Sequence, residues 1–163
     1  MATNVNWDRW IHSSINKYFT AISVTAGLPK LFEGVDTRTS AFMGSPHRCE
    51  IRSNGPNTLE ISSGYYELLV GINLFFTSRM EVPQESKYKQ NDLLGIFIQA
   101  MQQPISIFRL GTGVEDDDTL LGCLRLETGN RDHLKTFHFG QMDETLEYKQ
   151  SAIDGKYIMF LKV

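Results

Sequence analysis

Residues 65–77 read YYELLVGINLFFT, and every second position from Tyr66 through Leu68, Val70, Ile72, Leu74 and Phe76 is apolar. A period of two sustained this far predicts a β-strand with one buried face. At about 3.3 Å per residue the segment spans roughly 40 Å, against ~17–20 Å for common strands. Part of it is therefore expected to project past the core of one small domain and to need a partner. The alternate positions, Tyr65, Glu67, Leu69, Gly71, Asn73 and Phe75, are too apolar for a plain solvent face and too polar for a second core. They read as a face covered by something else, such as another copy of the chain, with Tyr65, Leu69 and Phe75 as candidate interface residues.

The 163 residues are 41% hydrophobic, which suits a single domain spanning residues 1–163 and burying its own core. A formal charge of −3 and a pI near 5.8 disfavour a strong electrostatic nucleic-acid binder, which needs a net basic face. Cys49 and Cys123 form no C-x-x-C pair, so reduced, buried thiols are expected rather than a disulfide framework or a thiolate zinc site. The N-terminus lacks a basic region followed by an apolar run, so the product is expected to stay in the cytoplasm where it is made. No stretch reaches the ~18 apolar residues of a membrane span, and there is no N-x-S/T acceptor.

Outward from the long strand, apolar residues recur at helical spacing from Trp7 through Ile11, Ile15, Tyr18 and Ile22. Asn6 is the expected N-cap, Asp8 complements the helix dipole, and Gly27 with Pro29 stops the helix. Leu31 to Val35 reads as a short strand and Thr37 to Pro46 as a loop. Cys49 to Arg52 and Leu59 to Ile61 alternate around Asn54-Gly55-Pro56-Asn57, which reads as a hairpin turn leading into a three-strand meander closed by Pro83. Tyr88 to Gln103 carries the stripe Leu94, Phe97, Ile98 and Met101, and Pro104 ends it. Ile105 to Leu110 and Leu120 to Leu126 form a second hairpin with an acidic tip. His133 to Gln141 and Tyr157 to Val163 supply further strands, with Asp154-Gly155 as a turn between them. The expectation is an α+β fold: a mostly antiparallel sheet with one long strand, packed against two helices.

Chemistry-bearing patterns are sparse. Gly111-Thr112-Gly113 lacks the third glycine and the strand-to-helix context of a phosphate loop. Glu115, Asp116, Asp117 and Asp118 miss the alternating spacing of a calcium loop. They read as a solvated acidic turn that, repeated around a ring, becomes an acidic channel or rim repelling DNA. His12, His47, His133 and His138 show no H-E-x-x-H or H-x-H pairing, and His138 reads as a partly buried hydrogen-bonding residue. Ser45 and Ser63 lack the G-x-S-x-G elbow, and Cys123 lies in an apolar strand where a thiolate is disfavoured. Trp7, Trp10, Tyr65, Phe75, Phe137 and Phe139 are candidate stacking platforms for single strands, but no Lys or Arg interleaves the 65–76 segment, which favours core or protein interface. No catalytic residue, cofactor or metal is expected.

The element order, with Glu33-Gly34 after the first helix, Arg52-Ser53-Asn54-Gly55-Pro56, the S-x-G-Y-Y-E-L phrase at Ser62 to Leu68, a Gln-rich helix and Gly140-Gln141-Met142-Asp143, resembles the tail-terminator and related neck proteins of tailed bacteriophages. The resemblance covers most of the chain. It implies a small non-enzymatic virion protein of the tail or neck, made in the host cytoplasm. Copies would form a ring, commonly a hexamer, that caps the tail tube, meets the head connector and lets genomic DNA pass unbound, without contact with a membrane. The residues alone leave one reading from another class open: a small-ligand-binding or enzymatic α+β domain, with the long strand lining a closed apolar pocket.

Overall fold

A computed structural model describes residues 6–28, 31–33, 47–79, 83–110, 118–129, 133–141 and 148–162. Helix α1 (Trp7–Thr25) buries Trp7, Trp10, Ile11, Ser14, Ile15, Phe19 and Ser23, one stripe at three- and four-residue spacing. Asn6 stands at the N-cap, but in helical conformation and without a side-chain capping bond, contrary to expectation. The C-terminus ends as expected at Gly27, whose φ is +74°. There the Leu28 N–H reaches the Ser23 carbonyl (2.9 Å) and the Gly27 N–H that of Val24 (3.1 Å). This pair of bonds satisfies two carbonyls that the helix leaves open.

The strands are β1 (Leu31–Glu33), β2 (His47–Ser62), β3 (Tyr65–Arg79), β4 (Ile105–Phe108), β5 (Leu120–Leu126), β6 (Leu134–Gln141) and β7 (Tyr148–Lys162). They form one sheet in the order β1-β2-β3-β7-β5-β4, with β6 also paired to β7. All described pairings are antiparallel except β1 with β2. The fold class is α+β. The strand at 65–77 is not alone in its length: β2 has 16 residues and β7 has 15, matching the 15 of β3.

Two expected turns lie inside these long strands. Asn54 to Asn57 does not reverse the chain, because Asn54 pairs with Gly71 and Asn57 with Leu69 in one continuous ladder. Gly55 and Pro56 together oppose only Val70, a bulge with one extra residue. Gly55 has φ +95°, and a β-carbon there would stand 2.6 Å from the Leu69 carbonyl oxygen. Proline, which has no N–H to give a ladder, is admitted at such a bulge. A bulge and a tight turn thus call for the same residues. The chain reverses instead at Ser63-Gly64, with Gly64 at φ +74°.

Asp154-Gly155 is likewise interior to β7, held by Asn73 opposite Asp154 and Ile72 opposite Gly155. Here β7 changes its second neighbour, from β6 up to Gly155 to β5 at Tyr157 and Ile158. The intervening Lys156 gives its N–H to the His133 carbonyl (2.9 Å) and accepts from the Glu127 N–H (3.0 Å).

Helix α2 (Pro83–Met101) begins earlier than its apolar stripe suggests, with Pro83 opening it rather than closing the preceding unit. Phe97 stacks on Phe19 of α1 (6.3 Å between centroids) and meets Phe76 of β3 edge-on (5.0 Å). The Tyr18 and Tyr157 hydroxyls donate to the Ala100 and Met101 carbonyls, each at 2.7 Å, so the end of α2 is capped from α1 and from β7. Ser14 accepts from the Phe108 N–H at 2.9 Å, fixing α1 beside β4.

Candidate functional site: the outer face of the sheet

Along β3 the even-numbered residues from Tyr66 to Phe76 are buried in the core, which places Tyr65, Leu69 and Phe75 together on the opposite, outer face. Register across β2, β3 and β7 divides that face into three zones.

At the tip, Tyr65 (38% exposed) stacks on Phe160 (51%), with Leu59 (60%) and Ile61 (51%) exposed on β2. Leu59 points outward because of the bulge. Cys49 and Ile51 face the core at odd positions, and the extra residue at Gly55-Pro56 shifts the parity, so that Thr58 and Glu60 align with core-facing Leu68 and Tyr66 while Leu59 aligns with Glu67. The sequence alternation of Leu59 and Ile61 looks like a continuation of the core face. The bulge turns Leu59 to the other side and leaves Ile61 exposed beyond it.

In the middle lies a half-open depression of about 430 Å³ lined by Asn54, Asn57, Leu69, Gly71, Asn73, Glu127, Asp154 and Lys156, with Val70 and Tyr157 at its floor. The Asn54 side chain lies over Gly71, where a β-carbon would collide with it. Amide and charged side chains share the lining with Leu69, Val70 and Tyr157, so this is an open recess of mixed polarity and not a closed apolar cavity.

At the base, Phe75 is half-buried beneath the Arg52 guanidinium, 5.1 Å from the ring centroid. Arg52 Nε also meets the carboxylate of Glu50 at 2.5 Å, and Glu50 is buried. The row continues from Phe75 through Ala152 to Phe137 on β6. Phe137 (42% exposed) stacks on Phe139 (52%) with centroids 6.2 Å apart. Of the six aromatics singled out in the sequence, Trp7 and Trp10 are core, whereas Tyr65, Phe137 and Phe139 are exposed.

The remaining candidates fall elsewhere. Glu115, Asp116 and Asp117 lie outside the described residues, as do Ser45, Gly111-Thr112-Gly113 and Met142-Asp143; Asp118 is exposed with φ +56°. Cys49 is fully buried, and burial pushes its thiol well up. Cys123 is partly buried, 3.8 Å from the Ser106 hydroxyl. His138 is exposed on β6 rather than partly buried, yet Nδ1 meets the Ser151 hydroxyl at 3.1 Å. That serine donates to Gln90 Oε1 (3.1 Å), Gln90 Nε2 donates to Ser78 (3.0 Å), and Ser78 meets His47 Nδ1 (2.9 Å). This relay from β2 to β6 beneath α2 has no local sequence signature.

His12 joins α1 to the bulge: Nδ1 lies 2.5 Å from the Ser53 hydroxyl, and Nε2 is 3.0 Å from the Gly55 carbonyl and 3.3 Å from Asp8. A carbonyl only accepts, so Nε2 carries a hydrogen directed at Gly55. The arrangement straps the helix to the bulge.

Among the described residues no group of three or more His, Cys, Asp or Glu side chains is placed to hold a metal ion, and no helix is long and apolar enough to cross a membrane. No protein-family model matches the chain, and no curated protein is significantly similar to it.

Proposed function

We propose that this chain is a structural protein of the tailed-bacteriophage virion, a tail terminator whose copies close into a hexameric ring that caps the tail tube and joins it to the head connector. One observation carries the reading: the outer face of the long sheet presents Leu59, Ile61, Tyr65 and Phe160 at its tip and Phe137 and Phe139 at its base, all exposed. Apolar side chains gathered this way on one face mark a surface made for a protein partner. A ring of identical copies covers that surface with no second gene product, and an acidic chain lets genomic DNA pass without being held. The reading also accords with the resemblance in element order and short motifs. The ligand-binding alternative calls for a closed apolar pocket along β3; the recess beside Leu69 is half-open and of mixed polarity, which favours assembly.

Light scattering of the purified protein over a range of concentrations, with negative-stain images, tests the proposal. Rings or a concentration-dependent rise in mass are expected. A protein that stays monomeric throughout and also fails to bind purified tail tubes or connectors would overturn it.

A further inference from the structure

Two stretches of this sheet are exposed on both of their faces, and they lie on opposite sides of it. Every residue from Asn57 to Ser62 of β2 is exposed, and so is every residue from Lys135 to Phe139 of β6. A strand inside a finished sheet is flanked by neighbours and covered on at least one face. Among the described residues, β1 pairs with β2 only opposite Cys49 to Ile51, and β6 pairs only with β7. Among the described residues both stretches therefore present one open backbone edge, which is a template for another strand.

We propose that the copies join edge to edge, the Asn57–Ser62 stretch of one docking antiparallel on β6 of the next. This rests on the assembly reading above and specifies its contact. Strand direction supports it. β2, β3, β7 and β6 alternate in sense through three antiparallel pairings, so β6 of one copy and β2 of the next continue the alternation without a break. Each edge also carries two large exposed apolar residues two positions apart, Leu59 with Ile61 and Phe137 with Phe139, and pairing brings the two sets into cross-strand contact. Charge does not oppose the pairing: the β2 stretch holds the single carboxylate Glu60, and β6 holds no carboxylate to repel it.

The edges are not level. Phe137 aligns through Ala152 and Phe75 with Glu50, whereas the open stretch of β2 lies beyond Asn54. Successive copies are thus displaced along the strands, and the joined strands run tilted, as closure of a barrel requires. Because the two edges differ, the contact is head-to-tail and closes into a ring once the rotation completes a circle.

The test places Leu59→Cys and Phe137→Cys in one chain on a Cys123→Ser background and treats the concentrated protein with a short bis-maleimide. The expected result is a ladder of covalent oligomers on a denaturing gel, with the 59 and 137 peptides linked by mass spectrometry, and no ladder beyond dimer from either single variant. Both sites are exposed, so folding is expected to survive. As an independent arm, Leu59→Lys should raise the concentration needed for assembly at least tenfold with an unchanged circular dichroism spectrum. Self-association without the 59–137 link, or unaffected by Leu59→Lys, overturns the strand pairing and leaves the ring reading standing. Absence of both self-association and cross-links overturns the strand pairing, and with it the ring reading when the protein also fails to bind purified tail tubes or connectors.

Discussion

Gly155 of β7 lies directly beneath Met101 at the end of α2: a β-carbon built at 155 stands 2.6 Å from Met101 Cε and 2.9 Å from Tyr157 Cε2. The methionine methyl has room to swing, but the tyrosine ring is pinned by its hydroxyl bond to the Met101 carbonyl. Gly155→Ala is therefore expected to overpack the site and cost about 1–3 kcal/mol, with Gly155→Val costing more. Urea denaturation measures this, and an alanine variant as stable as the parent would show that the ring moves freely.

Gln90 of α2 is fully buried and serves both sheet strands behind it. Its amide donates to Ser78 (3.0 Å) and to the Lys149 carbonyl (3.1 Å) while accepting from Ser151 (3.1 Å). Gln90→Leu keeps similar bulk but strands these polar groups away from water, at an expected cost of about 1–3 kcal/mol. Ser151→Ala removes one partner and leaves the donating amide satisfied, so a smaller loss is expected. The order of the two thermal midpoints decides whether Gln90 is the hub.

The His47 imidazole, 2.9 Å from the Ser78 hydroxyl, titrates below its ordinary range because burial and the nearby Lys89 charge both oppose protonation. The unfolded chain then binds the proton more readily than the folded one. Stability from this group is complete above about pH 6.5 and declines as pH falls through the folded value. His47→Asn, which has no proton to gain, should show a smaller loss of unfolding free energy between pH 8 and pH 5. Parallel profiles for parent and variant would remove His47 from the account.

The strand at 65–77 was legible because its core side is apolar at every step from Tyr66 to Phe76, and α1 because its stripe keeps helical spacing to a glycine stop. What misled was chemistry shared between turns and strand irregularities. Asn54-Gly55-Pro56-Asn57 and Asp154-Gly155 carry turn residues, but long-range pairing with β3 holds both segments extended. That error hid the most exposed part of the surface, since only a bulge sends Leu59 outward. Alternation alone puts Tyr65, Leu69 and Phe75 on the face opposite the core. Their unequal surroundings depend on what lies across the sheet, which β3 does not encode.

That inequality separates two substitutions that look equivalent on β3. Leu69 borders an open recess whose two carboxylates, Glu127 and Asp154, outnumber its one cation, Lys156, so Leu69→Arg should leave the monomer folded. Phe75 pairs directly with Glu50, which is buried and bonded to Arg52. Phe75→Glu sets like charges opposite each other, removes the ring under Arg52, and should unfold or strongly destabilise the chain. Phe137→Glu, on an exposed edge, tests the base of the face without that penalty. Strand pairing at the edges predicts that Phe137→Glu weakens self-association at least tenfold by light scattering, with parental circular dichroism; Leu69→Arg, on interior β3, does the same only if copies also meet across the outer face. If both variants assemble like the parent, the contact lies elsewhere; if Leu69→Arg melts the fold as Phe75→Glu does, Leu69 belongs to the core.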